Sequence, residues 1–461
     1  MKINLSPKCF THRNIGIWGL GIVGKAAINY FSSFDATISV MDQRELNPDE
    51  LIFLRKNNVT FFDQDQLDSF FEKNDYIIVS PGVYHPACQK YKDKIISELD
   101  LFRSEYKKPI IAVTGTVGKT SVVHLLSIIL KNVMNIQTGG NIGTALFDLI
   151  HEQDAFDCAL LELSSFQLDK SSYFSPNLAI WTNFFPNHID RHGSQKHYFL
   201  AKSAIIRNQR GNQKALLPVS IIDNLEKLNY PHSNWYFMST DQPPPSICKK
   251  ITQKYMGIFY AKNNHIVLKT KDNEVSLVST VSLPNITFLE NWITICASLY
   301  LNNIPFNAIK RSLSQLNLPE HRMENVGQIN NVTFYNDSKS TTAAATQAAI
   351  KLLSNHSILL LLGGIGKGVD RADLIKKLPD AVKLIVCFGE ERNELKKHCD
   401  TFNKKCAAFE KLNEAVRFCF SNAKPSDQIL FSPSGASFDQ FSNYQERGKY
   451  FKNIVHELQK K

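Results

Sequence analysis

The sequence predicts an α/β protein of three domains, each built on a largely parallel sheet covered by helices. Three observations carry that expectation. The chain has 461 residues, beyond the roughly 250 at which a single hydrophobic core stops growing. Three stretches alternate short apolar runs with helical periodicity, the pattern of strand–crossover–strand units. The apolar runs end in glycine or small polar residues, on the carboxyl rim where open parallel sheets bind ligands.

The elements follow in order. The first stretch opens with "NIGIWGLGIVGKAAINYF", a strand, a glycine turn and a helix, and continues with the strands in "TISVMDQR" and "DYIIVSPGV". The second opens at Pro109 with "PIIAVTG", runs through "DCALLELSSFQL" and "NLAIWTNFF", and includes a region near 235–282, rich in Thr, Ile, Val and Tyr, that reads as added antiparallel strands. Pro243, Pro244 and Pro245 mark a loop inside it, because apolar periodicity resumes on both sides. The third begins near "EHRMENV" and carries "SILLLLGGIGKGVD", "KLIVCFGEE" and "QILFSPSGAS". The expected domains are therefore residues 1–107, 108–319 and 320–461.

Composition narrows the class. With 43% hydrophobic and 21% charged residues the chain is globular, and no apolar run approaches the ~20 residues that span a bilayer. The opening "MKINLSPKCFTHRN" has no apolar core or small-residue cleavage site. Nine cysteines without a CxxC pair suit reduced thiols. A cytoplasmic protein is expected, with no membrane insertion. The formal charge of +10 is spread along the chain, as at Lys107-Lys108, Lys249-Lys250 and Lys404-Lys405, so no nucleic-acid face is expected.

Two glycine loops bring chemistry. "GLGIVG" sets Gly19, Gly21 and Gly24 in the GxGxxG spacing, with Asp42 closing the next strand. Such a turn brings backbone and a helix N-terminus to a pyrophosphate, and the acid can accept from a ribose or base edge. By itself the turn serves a dinucleotide or any other nucleoside diphosphate. "TGTVGKT" offers Gly115, Gly118, Lys119 and Thr120 between a strand and the helical "SVVHLLSIIL", in a loop shorter than the usual Walker form because Val113 stands where its first glycine would be. Backbone amides cradle phosphates there, the lysine neutralises β- and γ-oxygens, and the hydroxyl can ligate Mg²⁺. Glu162 ends the following strand, where an acid can hold Mg²⁺ or water, and His188, Asp190 and Lys202 lie beyond the next one.

These motifs together resemble the Mur ligases of peptidoglycan synthesis, over essentially the whole chain. "GGNIG" at 139–143, "ELSSFQL" at 162–168, "NDSKSTT" at 336–342 and "SFDQFSNYQERG" at 437–448 resemble most the members that add D-glutamate. The resemblance implies a Rossmann-like UDP-binding domain, a central P-loop ATPase-like domain and a Rossmann-like C-terminal domain that closes over ATP. It implies a monomeric ligase joining D-glutamate to UDP-N-acetylmuramoyl-L-alanine through an acyl phosphate, with ATP and Mg²⁺. Gly19, Gly21, Ile22, Val23, Asp42 and Arg44 would hold the UDP, and Asn141 the muramoyl peptide. Gly115, Thr116, Gly118, Lys119, Thr120 and Asn291 would bind ATP, with His321, Arg322, Asp337 and Lys339 from the third domain. Thr120, Glu162 and His188 would form the metal shell with Lys202, which family members carry as a carbamate; Lys119, Glu162, His188 and Lys202 would be catalytic. Thr341, Lys367, Ser437, Phe438 and Tyr444 would receive D-glutamate.

The chain departs from the family pattern at Val117 and Asn187, where asparagine and an acid are usual, and at Thr294, where a second adenine-facing asparagine is usual. Val117 is expected to cost one polar contact near the phosphates. A folylpolyglutamate-type or other Mur-type ligase is the alternative, and the "GLGIVG" to "MDQR" segment speaks against the former, whose relatives lack a UDP-binding domain.

Overall fold

The computed structural model describes residues 9–83, 85–230, 234–284, 286–366 and 370–460. Three sheets form in chain order. The first contains β1 (Asn14–Trp18), β2 (Thr37–Met41), β3 (Thr60–Phe62), β4 (Tyr76–Val79) and β5 (Ile95–Ile96), all parallel, in the order β3-β2-β1-β4-β5. Alternation along β1 covers both faces: Ile15 and Ile17 pack with Val40, Ile78 and the helix residues Ala27 and Phe31, whereas Trp18 packs opposite, with Phe70 and Phe71.

The second sheet contains β6 (Ile110–Thr114), β7 (Ile136–Gly140), β8 (Cys158–Glu162), β9 (Leu178–Trp181), β10 (Lys214–Pro218), β11 (Asn234–Met238), β12 (Gly257–Lys262), β13 (His265–Lys269) and β14 (Glu274–Ser279). Its order is β14-β13-β12-β11-β10-β9-β6-β8-β7. The chain enters at β6 and later strands add on both sides of it, which makes the carboxyl end of β6 the switch point where such sheets bind ligands. The region near 235–282 differs from expectation. Its first two strands, β11 and β12, continue the parallel sheet, and only β13 and β14 are antiparallel. A helix, Pro245–Lys254, supplies the crossover that parallel pairing requires, and Pro245 begins it at the first helical position, where a missing N–H costs nothing. The proline run is a helix start as well as a loop.

The third sheet contains β15 (Glu324–Ile329), β16 (Val332–Asn336), β17 (Ile358–Gly363), β18 (Val382–Phe388), β19 (Cys406–Phe409) and β20 (Gln428–Phe431), in the order β15-β16-β20-β17-β18-β19. β15 and β16 form an antiparallel hairpin whose turn residues, Asn330 and Asn331, both have positive φ; the remaining pairs are parallel. Its faces bury Leu359, Leu361 and Phe431 on one side and Leu360, Leu362 and Leu430 on the other.

The chain divides into two compact bodies. The first comprises Met1–Asn183, Phe199–Leu283 and Ile293–Gln315 and holds the first two sheets; the second comprises Phe184–Tyr198, Pro284–Trp292 and Leu316–Lys461. Within the first body the helix Glu98–Glu105 locks the two sheets together. The Asp100 carboxylate accepts from Ser171 Oγ at 2.6 Å and from the N–H groups of Ser172 and Tyr173 at 2.7 and 2.8 Å. Glu98 accepts from Leu146 N–H at 3.1 Å, and Phe147 packs into the core of the first sheet. All nine cysteines are free thiols.

Candidate active site

The first glycine loop closes the carboxyl end of β1. Gly21 caps the helix Ile22–Phe31, whose first-turn N–H groups have no partner within the helix. A Cβ on Gly24 would stand 2.0 Å from the carbonyl oxygen of Gly19, so only glycine lets the helix pack on the turn. Ile22 is exposed and Val23 half-buried beside it. Asp42, expected at a ribose or base edge, is engaged with the turn itself. One carboxylate oxygen accepts from Leu20 N–H at 2.6 Å and the other from Arg44 N–H at 3.1 Å, so the acid orders the turn. The Arg44 guanidinium forms a two-point pair with Glu50 at 2.8 and 2.7 Å, which pulls the Glu50 carboxyl down to about 2.

The second loop leaves β6 at Thr114 and enters the helix Lys119–Lys131 through Gly118, which is left-handed at φ 82. A Cβ on Gly115 would lie 2.0 Å from Thr182 Oγ1, so this position too requires glycine. Lys119 Nζ donates to the carbonyls of Gly115 and Thr116 at 2.8 and 3.1 Å, and Thr120 is buried in the first turn. Val117 is held through its backbone. Its N–H donates to Asn183 Oδ1 at 3.0 Å, and its carbonyl accepts from Asn183 Nδ2 at 3.2 Å and Thr182 Oγ1 at 2.8 Å.

The fold brings Glu162 and Lys202 to this loop. Glu162 ends β8, directly beside β6, and is 1% exposed. Asn141 is fastened to it twice: the Asn141 N–H donates to the Glu162 carbonyl at 2.7 Å, and Nδ2 donates to Oε1 at 2.9 Å. Lys202, on the helix Gln195–Arg207, is also 1% exposed, and its Nζ donates to the Gly115 carbonyl at 2.8 Å and to Thr114 Oγ1 at 3.4 Å. Burial pushes the Lys202 ammonium well below the usual lysine range; the positive charge of Lys119 adds to this and Glu162 opposes it. His188 lies in the second body, left-handed at φ 54, with its ring 6.2 Å from that of Tyr198. Asn291 is in that body as well, buried, its amide donating to Thr287 Oγ1 at 2.8 Å, while Thr294 further along the same helix donates to Met238 Sδ at 3.2 Å in the first body.

The third sheet gathers most of its predicted residues along one rim. Asp337, at the end of β16, accepts from Ser340 Oγ at 2.5 Å and Ser432 Oγ at 2.8 Å, and burial raises its carboxyl to about 6 against those bonds and the charge of Arg322. His321 is buried at positive φ, its Nδ1 2.9 Å from Asn336 Nδ2, and burial lowers its imidazole below the usual range. Lys339 Nζ sits 4.9 Å over the ring of Tyr444, which joins a residue expected at the nucleotide to one expected at the amino acid. Thr341 is half-buried nearby in sequence, Ser437 is buried, and Phe438 is 71% exposed. Lys367 lies outside the described residues.

Family models match the chain in three consecutive blocks: a MurD-like N-terminal domain of Mur ligases over residues 13–97, the Mur ligase middle domain over 113–292, and the Mur ligase glutamate ligase domain over 321–435. Over 459 residues the chain is 31% identical to a UDP-N-acetylmuramoylalanine–D-glutamate ligase of Thermosipho africanus, with 95% of this chain and 97% of that one covered. The chain belongs to the Mur ligase family. An enzyme of the same name from Leuconostoc citreum is 29% identical, covering 97% and 98% of the two chains. Among solved structures, a pseudomurein peptide ligase type C from Methanothermus fervidus superposes with a TM-score of 0.60 at 17% identity, covering 97% and 100% of the two chains. The MurF ligase from Thermotoga maritima, in complex with ADP, gives 0.56 at 13% identity, covering 98% and 97%. At such identities the structures speak for the fold alone.

An ATP-dependent Mur ligase requires a phosphate cradle and a divalent cation, and the first body fits both. The Thr120 hydroxyl and the buried Glu162 carboxylate are hard oxygen donors beside the loop. Mg²⁺ is commonly held by one or two protein oxygens together with substrate phosphates. Sequence reading missed Thr182 and Asn183, whose signal was their place at the carboxyl end of the strand next to β6. It also missed two buried arginines beside the Mur ligase's third sheet, Arg447 on the helix Tyr444–Gln459 and Arg371 at the start of the helix Ala372–Lys376. Arg447 donates to Ser338 Oγ and to the carbonyls of Ser338 and Gly435, and Arg371 donates to the carbonyls of Gly363 and Gly364. No spacing rule marks a buried arginine. Among the described residues no helix is long and apolar enough to cross a membrane.

Proposed function

We propose that this Mur ligase joins D-glutamate to the L-alanine carboxyl of UDP-N-acetylmuramoyl-L-alanine with ATP, in the synthesis of peptidoglycan precursors. The observation that carries the reading is the convergence of Lys119 and Lys202 on one glycine loop at a switch point, with Glu162 on the adjoining strand and Asn141 fastened to it. That loop sits in a chain matching D-glutamate ligases over nearly its whole length.

The chemistry follows from the need to make an amide in water. A carboxylate is a poor electrophile, so its oxygen first attacks the γ-phosphorus of ATP, ADP leaves, and an acyl phosphate forms. The amine of D-glutamate then attacks the carbonyl carbon; the tetrahedral intermediate collapses with loss of phosphate. Charge builds on phosphoryl oxygens in the first step, and Lys119 with the helix N-terminus behind it stabilises that charge. Thr120 and Glu162 would hold Mg²⁺, with His188 added in this reading; the ion supplies further neutralisation of the phosphates when bound. Lys202 is suited to carbamylation, because its burial favours the neutral amine, the form that adds CO₂. The carbamate would replace the positive charge of Lys202 with a negative one beside Lys119 and Glu162.

Substrate roles extend the reading. Gly19, Gly21, Ile22, Val23, Asp42 and Arg44 hold the UDP, Asp42 also ordering the turn, and Asn141 meets the muramoyl peptide. Asn291, His321, Arg322, Asp337 and Lys339 serve the nucleotide; Thr341, Lys367, Ser437, Phe438 and Tyr444 serve D-glutamate. The enzyme acts in the cytoplasm as a monomer. A coupled assay of ADP release tests the whole: release should require both UDP-N-acetylmuramoyl-L-alanine and D-glutamate. ADP release that is indifferent to either one would overturn the assignment.

A further inference from the structure

We infer that Asn183 is a positioning residue for ATP: it sets the shape of the phosphate loop by clamping the peptide groups around Val117. The inference rests on the reading of that loop as the ATP site. Asn183 is 5% exposed and lies two residues past the end of β9, whose register pairs Trp181 with Thr114 at the start of the loop. It makes three bonds to two consecutive loop residues. Its carbonyl accepts from Thr116 N–H at 3.1 Å, its Oδ1 accepts from Val117 N–H at 3.0 Å, and its Nδ2 donates to the Val117 carbonyl at 3.2 Å. One side-chain amide thus grips both polar groups of residue 117, and Thr182 Oγ1 reinforces the carbonyl side at 2.8 Å.

The grip has a directional consequence. Gly115, at φ 150, and Gly118, at φ 82, flank the clamped pair, so the loop is built from the residues with the most conformational freedom to lose. Fixing Thr116 and Val117 determines how the chain turns through Gly118 into the helix, and hence where the first-turn N–H groups of that helix point. Because the grip reads backbone, it is indifferent to the side chain at 117, which accounts for valine at a position where the family usually has asparagine.

Nucleotide and sugar binding separate a positioning role from a merely structural one. Affinities for a non-hydrolysable ATP analogue with Mg²⁺ and for UDP-N-acetylmuramoyl-L-alanine are measured by calorimetry on wild type, Asn183→Ala, Asn183→Asp and Lys119→Ala. Asn183→Ala should weaken the ATP analogue about tenfold or more, as expected for losing a buried two-point hydrogen bond, and leave the UDP-sugar affinity at the wild-type value. Asn183→Asp keeps the acceptor for Val117 N–H but turns a carboxylate toward the Val117 carbonyl. Its ATP-analogue affinity, relative to wild type, should be low at about pH 8 and recover as the pH falls and the carboxyl regains a donor proton; Asn183→Ala should show no such recovery. An Asn183→Ala protein that binds the analogue normally, or loses both ligands equally, overturns the inference while a weakened Lys119→Ala protein keeps the ATP reading intact. Analogue affinity unchanged in Lys119→Ala overturns the ATP reading itself and the inference with it.

Discussion

Glu98 makes a prediction whose sign runs against the usual behaviour of carboxylates. It begins the helix that locks the first two sheets together, is 6% exposed, and accepts from Leu146 N–H. Burial raises its carboxyl from 4.5 to about 7; Asp148 adds to the effect, and the Leu146 bond and the Gln167 amide only partly oppose it. A group that holds its proton more tightly when folded contributes stability that is complete below its unfolded value and is lost as the pH rises through its folded one. The window therefore runs from about pH 4.5 to 7. At about 1.4 kcal/mol per unit, the ionised carboxylate costs the first body ~3 kcal/mol by pH 8. Glu98→Gln keeps an oxygen for Leu146 N–H and removes the charge. The constant cost of housing the amide cancels when the variant is compared with wild type at two pH values, so the readout is the change in their difference. Scanning calorimetry should show the variant gaining ~2.5 kcal/mol relative to wild type between about pH 5 and about pH 8.5, or roughly 5 °C at about 2 °C per kcal/mol. Melting curves that stay parallel across that range would refute the reasoning, because a carboxyl already ionised in the folded state gives no such slope.

Three further outcomes are expected. Lys119→Ala should lower ATP-dependent turnover by about 100-fold or more while UDP-sugar binding persists; equilibrium binding and the coupled assay check both halves. Lys202→Ala should cripple turnover, with partial recovery on adding short carboxylates that restore an anion at the emptied place, and unchanged activity would exclude the carbamate. Gly24→Ala places a methyl 2.0 Å from the Gly19 carbonyl oxygen; it should weaken the UDP-sugar about tenfold or more, since overpacking costs about 1–3 kcal/mol, and leave ATP-analogue affinity at the wild-type value.

Much of the site is legible in the amino-acid order because its parts are local. A glycine turn between a strand and a helix needs only a few consecutive residues, so "GLGIVG" and "TGTVGK" announce themselves, and glycine or polar residues such as Gly19, Asp42, Gly115 and Thr182, just after a strand, mark a rim. The region near 235–282 differs in part from its sequence pattern because a parallel strand and an antiparallel one share the same β-branched composition. What distinguishes them is the crossover between them, here a helix whose start hides in a run of prolines. The engagement of Asp42 with the turn is obscure in the sequence for a related reason: spacing alone does not show that its carboxylate accepts from the backbone of Leu20.

The sequence by itself determined three α/β sheets and two glycine turns between strand and helix, since these follow from periodicity and glycine placement. Only the tertiary structure decided which distant side chains act on those turns. Asn141 and Glu162, 21 positions apart, meet through parallel pairing of β7 and β8. Lys202 reaches Gly115 across 87 positions and Asn183 clamps Val117 across 66. Such pairings depend on sheet order, which is set by the burial of whole faces at once, and no window of sequence contains that information.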